Sequence, residues 1–296
     1  MSESSRMATA PAALAAAISA GPAQLRPQPV RAALTLAWRE IVRFFRQRNR
    51  IVGSVGTPLL FWLLFGAGLD KWFRVPGGTR ESGFLEYFFP GSLVLTLMFT
   101  AIFSSISVIE DRREGFLQSV LVAPIPRWAM VLGKLLGGTF VAVLQGLIFL
   151  LLALTLPWEP GLVNLAQLAG LIFVAALALC GLGLALAWKM DSTQGFHAVM
   201  NLVLMPLWLL SGGFFPVPLP GPSATWAELL LHWGMRLNPL SYAVAGVRQL
   251  LTGPQAAPGV WTPALAECWL VTVAFAVVAF AAATWVCRQR TSGDLL

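Results

Sequence analysis

The sequence predicts an all-α membrane protein: six transmembrane helices, an N-terminal amphipathic interface helix, and a re-entrant or interfacial helical hairpin between helices 5 and 6. Two observations carry this. Apolar residues make up 57% of the 296-residue chain and charged residues 11%, where soluble domains hold roughly 45–50% and about 25%. So few charges do not cover the surface of a globule this long, and the apolar content excludes disorder over most of the length. The apolar residues also fall into six runs close to the ~20 residues a helix needs to cross hydrocarbon.

Taken in order, residues 1–30 are rich in Ala and Pro. Their small residues resemble a signal-peptide cleavage site, but the apolar stretch is weak and a basic segment follows. A disordered cytoplasmic tail is expected. Over 31–50, Leu34, Trp38, Ile41 and Phe45 recur at +4, +3, +4, and Arg39, Arg43, Arg46 and Arg50 repeat that spacing. At about 100° per residue the two stripes face opposite ways, which predicts an interface helix in the headgroup layer. Trp38, Arg39, Arg43, Phe45 and Arg46 are its candidate interface residues.

The spans are expected at 51–69, 88–109, 129–156, 163–188, 196–215 and 265–287. Pro58 and Pro206 fall inside runs and are read as kinks, which membrane helices tolerate. After the second span, residues 110–124 start with five consecutive charges, Glu110-Asp111-Arg112-Arg113-Glu114, followed by Leu117, Val120 and Leu121 on a small apolar face. Pro124 and Pro126 end this short cytoplasmic helix. Residues 216–263 hold two apolar helices too short to span. The second opens with Asn238-Pro239, a cap and an N1 proline, and closes at Gly253-Pro254. They form a re-entrant or interfacial hairpin, or an external cap packed on other subunits. Residues 288–296 are a cytoplasmic tail.

Charge placement sets the orientation. The chain holds 20 Lys and Arg against 13 Asp and Glu, net +7. Eight of the basic residues precede residue 51, where a cytoplasmic flank carries them, so the excess does not indicate nucleic acid. With both termini inside, only Lys71, Arg74, Arg80, Arg236 and Arg248 fall outside.

Much chemistry is missing. Gly133-Lys134 lacks the rest of a P-loop, and neither HExxH nor GxSxG occurs. Cys180, Cys268, Cys287, His197 and His232 lack metal-ligand spacing. No metal, cofactor or catalytic residue is expected. No span carries an ionisable group near its middle, although ion-coupled transporters usually need one. A transporter of this kind takes its energy from elsewhere. A secondary transporter, or a membrane enzyme or assembly factor, fits less well. Gly133 and Gly137 have the spacing of a helix-packing pair.

The segment Glu114-Gly115-Phe116-Leu117-Gln118, with Pro124, Arg127 and Gly133-Lys134, resembles the coupling region of type-2 ABC exporter permeases. Phe116 stands for the usual Thr, and Gln118 for a second Glu. WREIVRFFRQR resembles that family's interface helix, and SGGFFPVPLPG with NPLSYAVAGVRQLL its stretch between spans five and six. The resemblance covers about residues 30 to 290. It implies a non-catalytic permease, paired with a second copy and with ATP-binding subunits in a bacterial plasma membrane, exporting an amphipathic or lipid-linked substrate. It also implies ATPase contacts by Glu110, Arg112, Arg113 and Glu114, close backbone approach at Gly115, and supporting roles for Leu117, Pro124 and Arg127.

Overall fold

The computed structural model describes residues 28–70, 72, 83–254 and 258–289. The expected N-terminal tail up to residue 27, Lys71, Arg74, Arg80 and residues 290–296 lie outside these. The described residues form ten α-helices: α1 (Pro29–Arg46), α2 (Arg48–Leu69), α3 (Phe84–Arg113), α4 (Phe116–Val122), α5 (Arg127–Leu150), α6 (Leu162–Ala187), α7 (Thr193–Leu209), α8 (Trp226–Leu237), α9 (Pro239–Thr252) and α10 (Leu265–Arg288). A 3-10 turn, Leu151–Thr155, extends α5. The only β pairing among them is one antiparallel bridge, Pro218 to Val260.

The protein is an all-α membrane protein. Among the described residues five helices are long and apolar enough to cross a bilayer: α2, α3, α5 with its 3-10 turn, α6 and α10. The fifth expected span is α7, only 17 residues long. At ~1.5 Å per residue it measures about 26 Å, somewhat under the ~30 Å hydrocarbon core. The turn after it, with Gly212 at φ +73°, ends the helix before Phe215.

α3 is the axis of the bundle, buried along most of its length and packed against α2, α5 and α6. Without a hydrophobic drive between helices in lipid, small residues and close packing hold such a bundle. At the N-terminal end of α3 the rings form two clusters, Trp62, Phe89 and Phe149 in one and Phe84, Phe88, Trp208 and Phe214 in the other. There the backbone passes so close to Gly213 that a Cβ on Gly91 would lie 2.7 Å from its Cα. Trp208 Nε1 donates to the Gly91 carbonyl at 2.8 Å. α9 packs against α3, α6 and α10. The outward faces of α2 (Leu60, Leu63, Leu64) and α10 (Leu270, Val277, Val278) are exposed and apolar.

The boundaries around the charged segments differ from expectation. Gln47, at φ −103° and ψ 80°, ends the first helix early, so Arg48 and Arg50 belong to α2. α3 does not stop at residue 109 but carries Glu110 to Arg113 within it. The segment 110–124 is therefore the end of one helix, a turn, and the seven-residue α4. In the hairpin, α8 begins with a capping box between Thr225 and Glu228. It exposes Leu230, Trp233 and Leu237, while His232 turns inward to the Pro218 carbonyl.

Candidate coupling site

The charged run keeps helical spacing because α3 continues through it, and about 100° per residue distributes its side chains around the axis. Asp111 points inward and its side chain is 0% exposed. Arg39 grips it from both sides, Nη2 to Oδ1 at 2.7 Å and Nη1 to Oδ2 at 3.1 Å. Arg43 and Lys134 donate to the same carboxylate. Lys134 Nζ also reaches Glu40 Oε1 at 2.9 Å, and both side chains are 4% exposed. Further out, Arg43 Nη2 donates to Glu110 at 2.8 Å and to Glu114 at 3.3 Å, and Arg50 also binds Glu110.

Four cations (Arg39, Arg43, Arg50, Lys134) thus meet four anions (Glu40, Glu110, Asp111, Glu114), and the cluster is neutral as a whole. Buried charge is tolerable only when paired and hydrogen-bonded in this way. Burial alone would lower the pKa of Arg39. The hydrogen bond and charge of Asp111 outweigh it and hold the guanidinium above its usual value. The cluster joins α1, the end of α3 and the start of α5.

Backbone packing reinforces that junction. A Cβ on Gly133 would lie 2.6 Å from the Ala33 carbonyl oxygen, and one on Gly137 2.6 Å from Glu40 Cβ. The Gly133–Gly137 pair is where α1 lies against α5. The arginine stripe of α1 correspondingly faces the protein at Arg39 and Arg43, and not the headgroup layer. Trp38 and Phe45 form its exposed apolar side, and Arg46 is exposed.

The other residues singled out by sequence fall around this core. Arg112 donates to the Trp188 and Met190 carbonyls and pairs with Asp191 at 3.6 Å, satisfying carbonyls just past the end of α6. Arg113 donates to the Asp191 carbonyl at 2.9 Å. Both arginines tie α3 to the α6–α7 connection. Glu114 is 60% exposed. A Cβ on Gly115 would meet nothing of this chain within 4 Å. Its φ of +75° is what requires glycine. Leu117 is buried, Phe116 lies under the Arg39 guanidinium at 3.6 Å, and Val122 is 86% exposed. Pro124 follows the extended Ala123 that ends α4, and Arg127 opens α5. Between α1 and α4 runs an open groove of about 680 Å³ lined by Arg31, Thr35, Phe116, Val120 and Ile125.

Sequence reasoning missed Glu40, Asp111 and Lys134 as one buried group. The available signal was Lys134 between Gly133 and Gly137, a cation on the helix face that another backbone must approach.

A family model for the ABC-2 type transporter membrane protein matches residues 31–252. The chain belongs to this family. It is accordingly a multi-pass membrane subunit of an ABC transporter, of the kind that works with an ATP-binding subunit. It is 26% identical over 218 residues to a putative transport permease, ycf38, of Cyanophora paradoxa, covering 73% of this chain and 72% of that one. It is 28% identical over 265 residues to the inner membrane transport permease YadH of Escherichia coli, covering 88% and 96%. It is also 28% identical over 175 residues to the probable multidrug ABC transporter permease YbhR of the same species, covering 57% and 44%. The charge cluster lies inside the matched region.

Proposed function

We propose that the chain is the permease of an ATP-driven exporter that moves a lipophilic, amphipathic or lipid-linked substrate out across a bacterial plasma membrane. Two copies pair, both termini are cytoplasmic, and a separate ATP-binding subunit docks on α4 and the exposed rim of α3. The observation that carries this reading is the neutral charge cluster. It fixes α1, α3 and α5 to one another directly beside the short helix α4, whose outer residues (Glu114, Ser119, Val122, Pro124) have exposed surface to offer a partner. A push on α4 is passed to α3 and α5 because the joint is closed by charge-assisted hydrogen bonds and backbone contact, not by a flexible loop. Glu110 acts within the joint and Arg112 ties α3 to the α6–α7 connection, leaving the exposed surface of Arg113, Glu114 and Val122 for the partner. The apolar interior suits an amphipathic substrate, and the resemblance supports export.

The test is ATP hydrolysis by the reconstituted transporter. Glu114→Arg and Val122→Asp should each lower substrate-stimulated hydrolysis by about tenfold, the effect of ~1.4 kcal/mol. The unfolding temperature of the permease alone should barely move in Val122→Asp, because exposed substitutions away from ion pairs cost within ~0.5 kcal/mol, and should fall modestly in Glu114→Arg, which also loses the Arg43 pair. Full stimulation in both variants, with the ATP-binding subunit still bound, would remove the docking role from α4.

A further inference from the structure

At the opposite end of α3 lies a second charged feature that coupling does not use. Tyr87 precedes Asp111 by 24 positions, which places it roughly 36 Å away at ~1.5 Å per residue. There Arg248, on α9, stacks its guanidinium on the Tyr87 ring at 4.3 Å. Its Nη2 donates to the Gly212 carbonyl at 3.0 Å and the Tyr87 carbonyl at 3.3 Å. Its Nε is buried with no hydrogen-bond partner. Among the described residues no carboxylate pairs with it: the ion pairs gather at the Asp111 end. A partly buried guanidinium held by carbonyls and a ring, with no ion-pair partner among the described residues, leaves a charge uncompensated and a donor unused, and both are costly to leave unanswered.

Arg248 lines a cavity of about 60 Å³ together with Ser211, Ala245, Gln249 and Trp261. That space suits one carboxylate- or phosphate-sized group and is far below the ~300–1,000 Å³ of a drug-sized pocket. An adjoining groove of about 540 Å³ shares Gln249, Gly253, Thr262 and Pro263 with it and continues along Leu250 and Leu265. A small cationic pocket opening beside a longer groove with an apolar flank fits an amphiphile by its two ends. We propose that this is a binding site for the anionic group, phosphate or carboxylate, of an amphiphile, with Arg248 holding the charge and the groove the chain. The site depends on neither the ATP-driven reading nor the direction of transport.

The full-length chain in neutral detergent is titrated with dioctanoyl phosphatidic acid, decanoate, inorganic phosphate and, as the uncharged control, dioctanoylglycerol, and its unfolding temperature is followed. The anionic probes should raise that temperature by several degrees and the control should not. Arg248→Gln should weaken the response at least tenfold, and Arg248→Lys less, since it keeps the charge and loses the fork. Ala245→Leu should abolish the response by filling the cavity while leaving Arg248 in place, so the test holds even if Arg248→Gln does not fold. A shift with inorganic phosphate alone makes the ligand a free anion, and one needing chain-bearing probes makes it a headgroup; both sustain the site. An equal shift with dioctanoylglycerol, or full anionic stabilisation in folded Arg248→Gln and Ala245→Leu, would overturn it. The ATP-binding subunit is absent throughout, so failure here leaves the coupling proposal untouched.

Discussion

Asp111 accepts hydrogen bonds from Arg39, Arg43 and Lys134 with no exposed side-chain surface, so its charge is what makes three cations tolerable in one place. Asp111→Asn keeps the shape and removes the charge, leaving those cations facing a neutral amide. Truncating one partner of a buried group costs ~3–5 kcal/mol, and the purified variant should unfold at a clearly lower temperature. Lys134→Met should also destabilise, because Glu40 keeps only Arg39, at 3.3 Å. Adding Glu40→Met removes one charge of each sign, restores neutrality, and should recover part of the loss. If the double variant unfolds below Lys134→Met, the pair is not compensating charge. The sequence singled out the segment that carries the charge cluster, but not Asp111 as its buried member. Five consecutive charges mark a helix end, but which one faces inward depends on α3 continuing to Arg113, and apolar pattern is silent there. Gly115 was legible as special, while the reason, φ +75° in open space, is a property of the turn.

At the scale of elements, one face of α1 is held both by charge and by glycine packing, which meet at Glu40. In Gly137→Val the added branched side chain would have to fit where even a Cβ lies 2.8 Å from the Ala37 carbonyl oxygen. Backbone cannot yield as a flexible side-chain tip can, so α1 should lift from α5 while the bundle stays folded. Hydrogen exchange should report this as faster exchange of the α1 amides alone, with α3, α5 and α6 protected as before. Gly68→Ala, where a Cβ would meet nothing within 4 Å, is the matched control and should leave exchange in α1 unchanged. Unaltered α1 protection in Gly137→Val would mean that the ion pairs alone hold the helix. The helices themselves were readable because lipid-facing and buried surfaces are both apolar, so each long run announces a helix. Their ends were less so. Gln47 breaks α1 from α2 without Pro or Gly, and α4 is too short for a periodic signal of its own.

The whole molecule has two chemically distinct ends, and α7 decides how the chain runs between them. Its 17 residues fall short of an ordinary span, yet it is tied to both ends. Asp191, two residues before it, meets Arg112 and Arg113 at the charged end, and Trp208 in its last turn donates to the Gly91 carbonyl at the aromatic end. Asp191 and the extended Ser192 add the length the helix lacks. α10 runs alongside α6, Trp269 beside Gly170 and Ala279 beside Gly181, so its far end returns to the charged end as well, where Arg112 meets the Trp188 carbonyl past α6. With α1 and the far end of α10 both at that end, we propose an even number of passages, a reading supported by the concentration of Lys and Arg on that side. Thiol labelling checks this directly, since Cys180, Cys268 and Cys287 are buried and give little background. In intact cells an impermeant maleimide should label Ser223→Cys, which is exposed beside α8. It should reach Ser119→Cys on α4 and Gln289→Cys at the end of α10 only after permeabilisation. Labelling of Gln289→Cys from outside, with Ser119→Cys still protected, would mean an odd number of crossings, and α7 would then have to lie within one leaflet despite its contacts at both ends.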